Sequence, residues 1–174
     1  MFKELKILKL FLENPSREYN VREVGRILKI APATASNKLK LFVKKGILKE
    51  RKERILKLYK LNLENDLCLD IKKFYNIRKI KDSGILEELN KFYVKPTIVL
   101  FGSFSYGLDD ENSDIDLLLI SEKTEEFPEA RRFEKKFGRE IHLFIVKDMK
   151  DLKNEHLTNN ILNGTILQGE VKWI

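Results

Sequence analysis

The 174-residue sequence is poor in cysteine, histidine, proline and tryptophan, and each scarcity excludes something. Its single thiol, Cys68, rules out a disulfide framework within the chain and any metal centre built from several cysteines. The two histidines, His142 and His156, lack the spacing of a zinc motif. With only eight glycines there is no Gly-x-Gly-x-x-Gly, so a dinucleotide fingerprint is absent. No apolar run approaches the ~20 residues of a membrane span, which argues against a membrane partner. Met1-Phe2-Lys3-Glu4-Leu5-Lys6 alternates charged with apolar residues and has neither the apolar core nor the cleavage site of a secretory signal. Internal repeats and low-complexity stretches are missing too. A soluble, cytoplasmic protein is the expectation.

Apolar residues make up 43% of the chain, enough for packed cores. The net charge of +7 is divided unevenly. Residues 1–60 hold 17 Lys/Arg against 6 Asp/Glu, a net of +11, and the other 114 hold 17 against 21, a net of −4. A basic front end of this kind fits an anionic partner, and a solvated Lys-rich surface fits it as well.

The spacing of apolar residues predicts a helix over 2–13, with Leu5, Leu8 and Leu12 on one stripe, ended by Asn14-Pro15-Ser16. A second helix runs from Val21 to Leu28 with Asn20 as its cap. A third opens at Ala31-Pro32, where proline needs no donor, and runs to about Lys45 before Gly46. Two extended segments, 47–50 and 55–61, flank a charged hairpin tip, Arg51-Lys52-Glu53-Arg54. Residues 21–42 fit a helix-turn-helix, with Gly25 at the close crossing and Ala35, Leu39 and Phe42 facing the core. Ala33, Ser36, Asn37 and Lys40 then turn outward, as suits a helix entering the major groove of DNA. Lys44, Lys45, Arg51, Lys52 and Arg54 are placed to meet phosphates.

Residues 63–95 read as a helical connector, broken at Asp82-Ser83-Gly84 and ending in a helix over 85–93. After Pro96 the pattern changes. Thr97–Phe101 and 114–120 are continuous apolar runs, expected of strands buried on both faces. A helix over 126–137, a strand over 140–146, two short helices near 149–154 and 157–163 and a last apolar run at Ile166-Leu167 complete an α/β half with a small mixed sheet.

The first apolar run ends at Gly102-Ser103, where a backbone without a Cβ lets amides approach a phosphate and the serine adds a hydroxyl. Ten residues separate Ser103 from Asp114, and Asp116 follows two further on, on the same side of a strand. Two carboxylates so close are costly unless a cation lies between them, and Mg²⁺ suits carboxylates combined with substrate phosphates. Competing motifs fail. Gly102 and Gly107 have P-loop spacing, but Leu108-Asp109 stands where Lys-Ser/Thr is required. Asp110-x-Asn112-x-Asp114 opens like an EF-hand loop, but Ile115 replaces its glycine.

Two resemblances follow from these residues. Residues 1–62 resemble the winged-helix domains of bacterial and archaeal regulators. The Gly102-Ser103 and Asp114-x-Asp116 pattern resembles the nucleotidyltransferase superfamily related to DNA polymerase beta, and its context is most similar to the minimal nucleotidyltransferases. The expected fold class is α+β: a winged helix over 1–62, the helical connector over 63–95, and a nucleotidyltransferase-type mixed sheet with flanking helices over 96–174. The resemblance implies that Gly102 and Ser103 bind a nucleoside triphosphate, ATP above all, that Asp114 and Asp116 bind Mg²⁺, and that a nucleoside monophosphate passes to a hydroxyl. It also implies an HEPN-type protein as a partner in a toxin–antitoxin setting.

The sequence departs from that family twice. Tyr106 stands where many members carry a basic residue. The position of the third carboxylate holds His142, while Glu140 lies roughly 6–7 Å back on the same side at a rise of ~3.3 Å per residue. His142 or Glu140 would then act as a substitute base. Three functions remain open: a DNA-binding nucleotidyltransferase, a transcriptional regulator whose second domain only senses nucleotide or binds a partner, and an RNA-modifying enzyme.

Overall fold

The structure, a computed structural model, describes the backbone of residues 3–172 and the side chains of residues 6–172. Phe2 and the Leu5 side chain, assigned to the first helix from sequence, lie outside the described residues. The chain divides into two compact units, Met1–Lys72 and Lys73–Ile174. No described helix is long and apolar enough to cross a membrane.

The first unit runs α1 (Lys3–Glu13), β1 (Tyr19–Asn20), α2 (Val21–Leu28), α3 (Pro32–Lys44), β2 (Leu48–Glu53) and β3 (Leu56–Leu61). Asn20 caps α2 by accepting from the Glu23 amide, and the Glu23 carboxylate accepts in return from the Asn20 amide, a full capping box. Gly25 is buried where α2 meets the turn into α3, and a Cβ there would stand 3.1 Å from the Ile30 carbonyl oxygen. Ala35, Leu39 and Phe42 are buried along α3, as their spacing predicts. Gly46, at φ +72°, ends the segment in the left-handed region that favours glycine. The short strand β1 is absent from the sequence reading because two residues show no periodicity. It pairs with β3 through Tyr19 opposite Tyr59.

The hairpin differs from its expected form. β2 and β3 pair without slippage from Leu48↔Leu61 to Glu53↔Leu56, so only Arg54 and Ile55 make the turn. Arg51 and Lys52 therefore lie within β2, not at the tip. Polar residues lengthen a strand readily when its outer face meets water, and all of β2 beyond Leu48 is exposed.

Helix α4 (Asp66–Lys81) contains the boundary between the units. The second unit continues with α5 (Ile85–Tyr93), β4 (Thr97–Phe101), α6 (Gly102–Tyr106), β5 (Ile115–Ile120), α7 (Ala130–Phe137), β6 (Ile141–Val146), a 3₁₀ turn at Met149–Asp151, α8 (Glu155–Leu162) and β7 (Thr165–Gln168). Its sheet has the order β6-β5-β4-β7, with β5–β6 parallel and the other pairs antiparallel. Alternation along the strands sends Ile98, Leu100, Leu117 and Leu119 into a core shared with Leu89, Tyr93, Phe133 and Phe137. Val99, Phe101 and Leu118 pack on the opposite face with Met149 and Ile161. Each such fully buried side chain contributes roughly 1.5–3 kcal/mol. The second half of the expected connector thus supplies core residues to this unit.

Two element boundaries shift from the sequence reading. Helix α7 starts at Ala130 rather than 126, because Phe127 precedes Pro128 and is pushed out of helical conformation. The helix expected at 149–154 is one 3₁₀ turn, capped by Asp148.

Tyr59 is fully buried, and burial, with the Glu50 carboxylate adding to it, pushes its phenol up to about 12. A pKa raised above its ordinary value of 10.0 means stability that is intact below pH 10 and is lost as pH climbs through about 12. Tyr59→Phe should remove this part of alkaline unfolding and change stability at pH 7 little. Circular-dichroism melts between pH 8 and 12 read the difference, and parallel curves for the two proteins would refute it.

Candidate functional site

Strand register aligns the site. Phe101 at the end of β4 pairs with Asp116 on β5, and Asp116 pairs in turn with His142 on β6. Gly102 follows directly, at φ +69°. Its α-carbon lies so close to the Asp116 carboxylate that any Cβ would collide with Asp116 Oδ2. The Ser105 hydroxyl donates to the Gly102 carbonyl at 2.8 Å and fixes the turn, and Ser103 is half-buried on it. Gly102 and Asp116 thus come together, with Ser103 next in the chain on the same turn.

Asp114 stands one residue before β5, since the strand begins at Ile115 and not at 114. It still reaches the same side as Asp116. His142 joins the two acids: its Nδ1 is 3.2 Å from Asp116 Oδ1 and its Nε2 is 3.8 Å from Asp114 Oδ2. Glu140, just ahead of β6, brings Oε2 to 3.9 Å from the same Nε2. The backward distance along the strand therefore does not keep Glu140 away, because its side chain leans toward the site. Asp114, Glu140 and His142 each offer a ligand atom within 4.8 Å of the other two.

Burial raises the Asp116 carboxyl above its ordinary value and the Asp114 charge adds to that, while the hydrogen bond and charge of His142 oppose it. Two carboxylates and an imidazole converging on one point form a donor set that fits a divalent cation. A cleft of about 500 Å³ opens beside Asp114 and Glu140, lined further by Ser113, Glu134, Lys135 and Arg139. Tyr106, in place of a basic residue, is half-buried on α6.

One network was not legible in the sequence. Asp109, in the loop after α6, is 1% exposed and pairs with Arg139, 7% exposed, at 3.2 Å. Arg139 also donates to the Ser113 carbonyl at 2.5 Å. Asn76 on α4 donates to Asp109 Oδ1 at 2.6 Å and to the Phe104 carbonyl at 2.9 Å. Residues 30 and 33 positions apart have no linear pattern to announce them, and only an acid too buried for a loop could have hinted at it.

In the first unit, Ala33, Asn37 and Lys40 are exposed on α3 and Ser36 is half-buried beside them. Lys52 and Arg54 are exposed on the hairpin. Arg51 is exposed but engaged, bidentate to Glu18 at 2.5 and 2.6 Å and bonded to Glu53 at 2.7 Å. Those carboxylates compete with any phosphate for its guanidinium.

A mixed four-stranded sheet with a glycine–serine turn set against paired carboxylates has the form of a nucleotidyl-transfer domain. A family model described as "Nucleotidyltransferase domain" matches residues 77–167, more than half of the chain, and the protein belongs to that family. No curated protein matches it. Among solved structures it is similar to a chain described as a "possible transcriptional regulator" from Methanosarcina mazei Go1, with 22% identity, 51% of this chain and 78% of that chain covered and a TM-score of 0.37. It is also similar to Sso10a-2, described as a DNA-binding protein from Sulfolobus solfataricus, with 22% identity, 53% and 96% covered and a TM-score of 0.36. At such scores neither likeness bears on the fold.

Arg139→Ala removes the buried guanidinium that pairs with Asp109 and with the Ser113 carbonyl, which should cost about 3–5 kcal/mol of folding stability. Urea denaturation of the two proteins measures it, and a loss below about 1 kcal/mol would contradict the role given to the pair.

Proposed function

We propose that the second unit binds a nucleoside triphosphate, ATP in the first instance, together with a divalent cation, and that the first unit is a winged helix that binds DNA. The observation that carries the nucleotide reading is the contact of the Gly102 backbone with the Asp116 carboxylate. A phosphate laid on the Gly102-Ser103 turn lies beside the acids that would hold its cation. Gly102 offers close backbone approach, Ser103 a hydroxyl, and Asp114 and Asp116 oxygen ligands, for which Mg²⁺ is the cation expected. When bound, such a cation neutralises charge on the attacking and leaving oxygens of a displacement. His142 and Glu140 are the groups able to take a proton from an acceptor hydroxyl at this site. The acceptor is a hydroxyl on protein or nucleic acid, with an HEPN-type protein among the candidates.

A specific observation favours a second reading. Directly opposite Asp116 stands an imidazole and not a third carboxylate, which suits a regulator that binds nucleotide with weak turnover or none. His142→Asp distinguishes the two. It raises transfer from labelled ATP if the site is a weakened transferase, and a continued lack of product with every acceptor supports the regulator.

Calorimetry with ATP should give binding that depends on Mg²⁺ and weakens at least about ten-fold in Asp114→Ala and in Gly102→Ala, the latter because its new Cβ displaces Asp116. Wild-type affinity in both variants would remove the basis of this reading.

The DNA reading draws on the net +11 of residues 1–60 and the exposed face of α3. Gel shifts should weaken steeply with salt, each phosphate contact adding about 0.9 to the log–log slope. Asn37→Ala should relax sequence preference, and Lys52→Ala should weaken all sequences alike. Arg51→Ala should cost less than Lys52→Ala, because Glu18 and Glu53 already occupy Arg51. No shift at low salt would rule this reading out.

A further inference from the structure

The substitution of an imidazole for a carboxylate changes what the centre prefers to hold. We propose that Asp114, Glu140 and His142 form a divalent-metal site selective for a first-row transition cation, Zn²⁺ or Co²⁺, over Mg²⁺. It deepens the nucleotidyl-transfer reading, since Asp114 belongs to both, but it requires no nucleotide to exist.

Asp116 orients the imidazole ring of His142. Asp116 Oδ1 lies 3.2 Å from Nδ1. This contact through Nδ1 turns the ring so that Nε2 faces the other two acids. Nε2 lies 3.8 Å from Asp114 Oδ2 and 3.9 Å from Glu140 Oε2. A carboxylate that holds one ring nitrogen and so aims the other is the usual support of a metal-bound histidine. Asp116 therefore serves His142 as a positioning group as well as standing beside Gly102.

The donors are two carboxylates and one imidazole nitrogen. Mg²⁺ demands near-octahedral oxygen ligands and retains water, whereas imidazole nitrogen suits Zn²⁺ and its neighbours. Oxygens at right angles around Mg²⁺ stand ~3.0 Å apart, and tetrahedral donors around Zn²⁺ stand ~3.4 Å apart. The observed 3.8 and 3.9 Å exceed both values, so the donors must draw in around either ion and the choice between them rests on the imidazole. Closure around an ion asks a few tenths of an ångström of Asp114 as well as of Glu140, whose side chain is 79% exposed and has room to swing inward.

The test uses the full chain stripped by chelator, without nucleotide. Calorimetric titration should give Zn²⁺ and Co²⁺ at least about 100-fold tighter than Mg²⁺. A Mn²⁺-loaded sample should show ¹⁴N imidazole coupling in pulsed electron paramagnetic resonance. His142→Asn should abolish that coupling and weaken Zn²⁺ about 100-fold, while His156→Asn leaves both unchanged. Asp116→Asn should weaken Zn²⁺ about ten-fold and keep the coupling. Should His142→Asn melt well below wild type in chelator, Glu140→Gln takes its place, with Zn²⁺ about ten-fold weaker and the coupling retained. Affinities for Zn²⁺ and Mg²⁺ within about three-fold, or coupling that survives His142→Asn or vanishes in His156→Asn, overturn the proposal. ATP–Mg²⁺ binding without this selectivity sinks only the metal site, and selectivity without ATP binding sinks only the nucleotide reading.

Discussion

The candidate site leans on a buried ion pair, Asp109 with Arg139, that is not one of its own carboxylate or imidazole groups. Asp109 and Arg139 are removed from water, and their charges are satisfied by each other, by Asn76 and by the Ser113 carbonyl. Such a pair adds little net stability compared with apolar packing, yet breaking it is expensive. What it secures here is position. Arg139 stands next to Glu140 and two residues before β6 begins, and Ser113 stands next to Asp114. One guanidinium therefore ties the approach to β5 to the approach to β6, and it brings a donor from each strand to the same place.

Register does the rest. Parallel pairing of β5 with β6 puts His142 opposite Asp116, and antiparallel pairing of β4 with β5 puts the Gly102 turn beside Asp116. A slip of one residue in either pair would send these side chains to the other face of the sheet. The apolar residues of β5, which alternate between the two cores, hold that register. Packing on both faces is thus the reason that a few polar groups can be held at an exposed end.

Legibility in the sequence followed the range of the interactions. Local devices were readable: the Asn20 cap, the proline start and glycine end of α3, its buried stripe, and the Gly-Ser and Asp-x-Asp spacing that carries the family resemblance. The boundaries that moved did so for tertiary or steric reasons. Pairing with β3 drew Arg51 and Lys52 into a strand, and Pro128 delayed α7. The reach of Glu140 is not readable from sequence, because a rise per residue measures the backbone, not where a long side chain leans. The Asp109–Arg139–Asn76 network was invisible, since burial of a loop acid is known only once the loop has folded.

Strand β6 is the outermost strand of its sheet, and from Ile141 to Val146 it has no lysine, glutamate or proline. Those are the residues by which edge strands ordinarily discourage pairing with other chains. The guarding charges stand only at its two ends, Glu140 on one side and Lys147 with Asp148 on the other. Glu140 thus has a second office in colloidal behaviour: neutralising it leaves one end of an apolar ribbon unprotected. Concentration-dependent association is then as natural a result of altering this side chain as a change in chemistry, and the two are told apart by sedimentation rather than by assay.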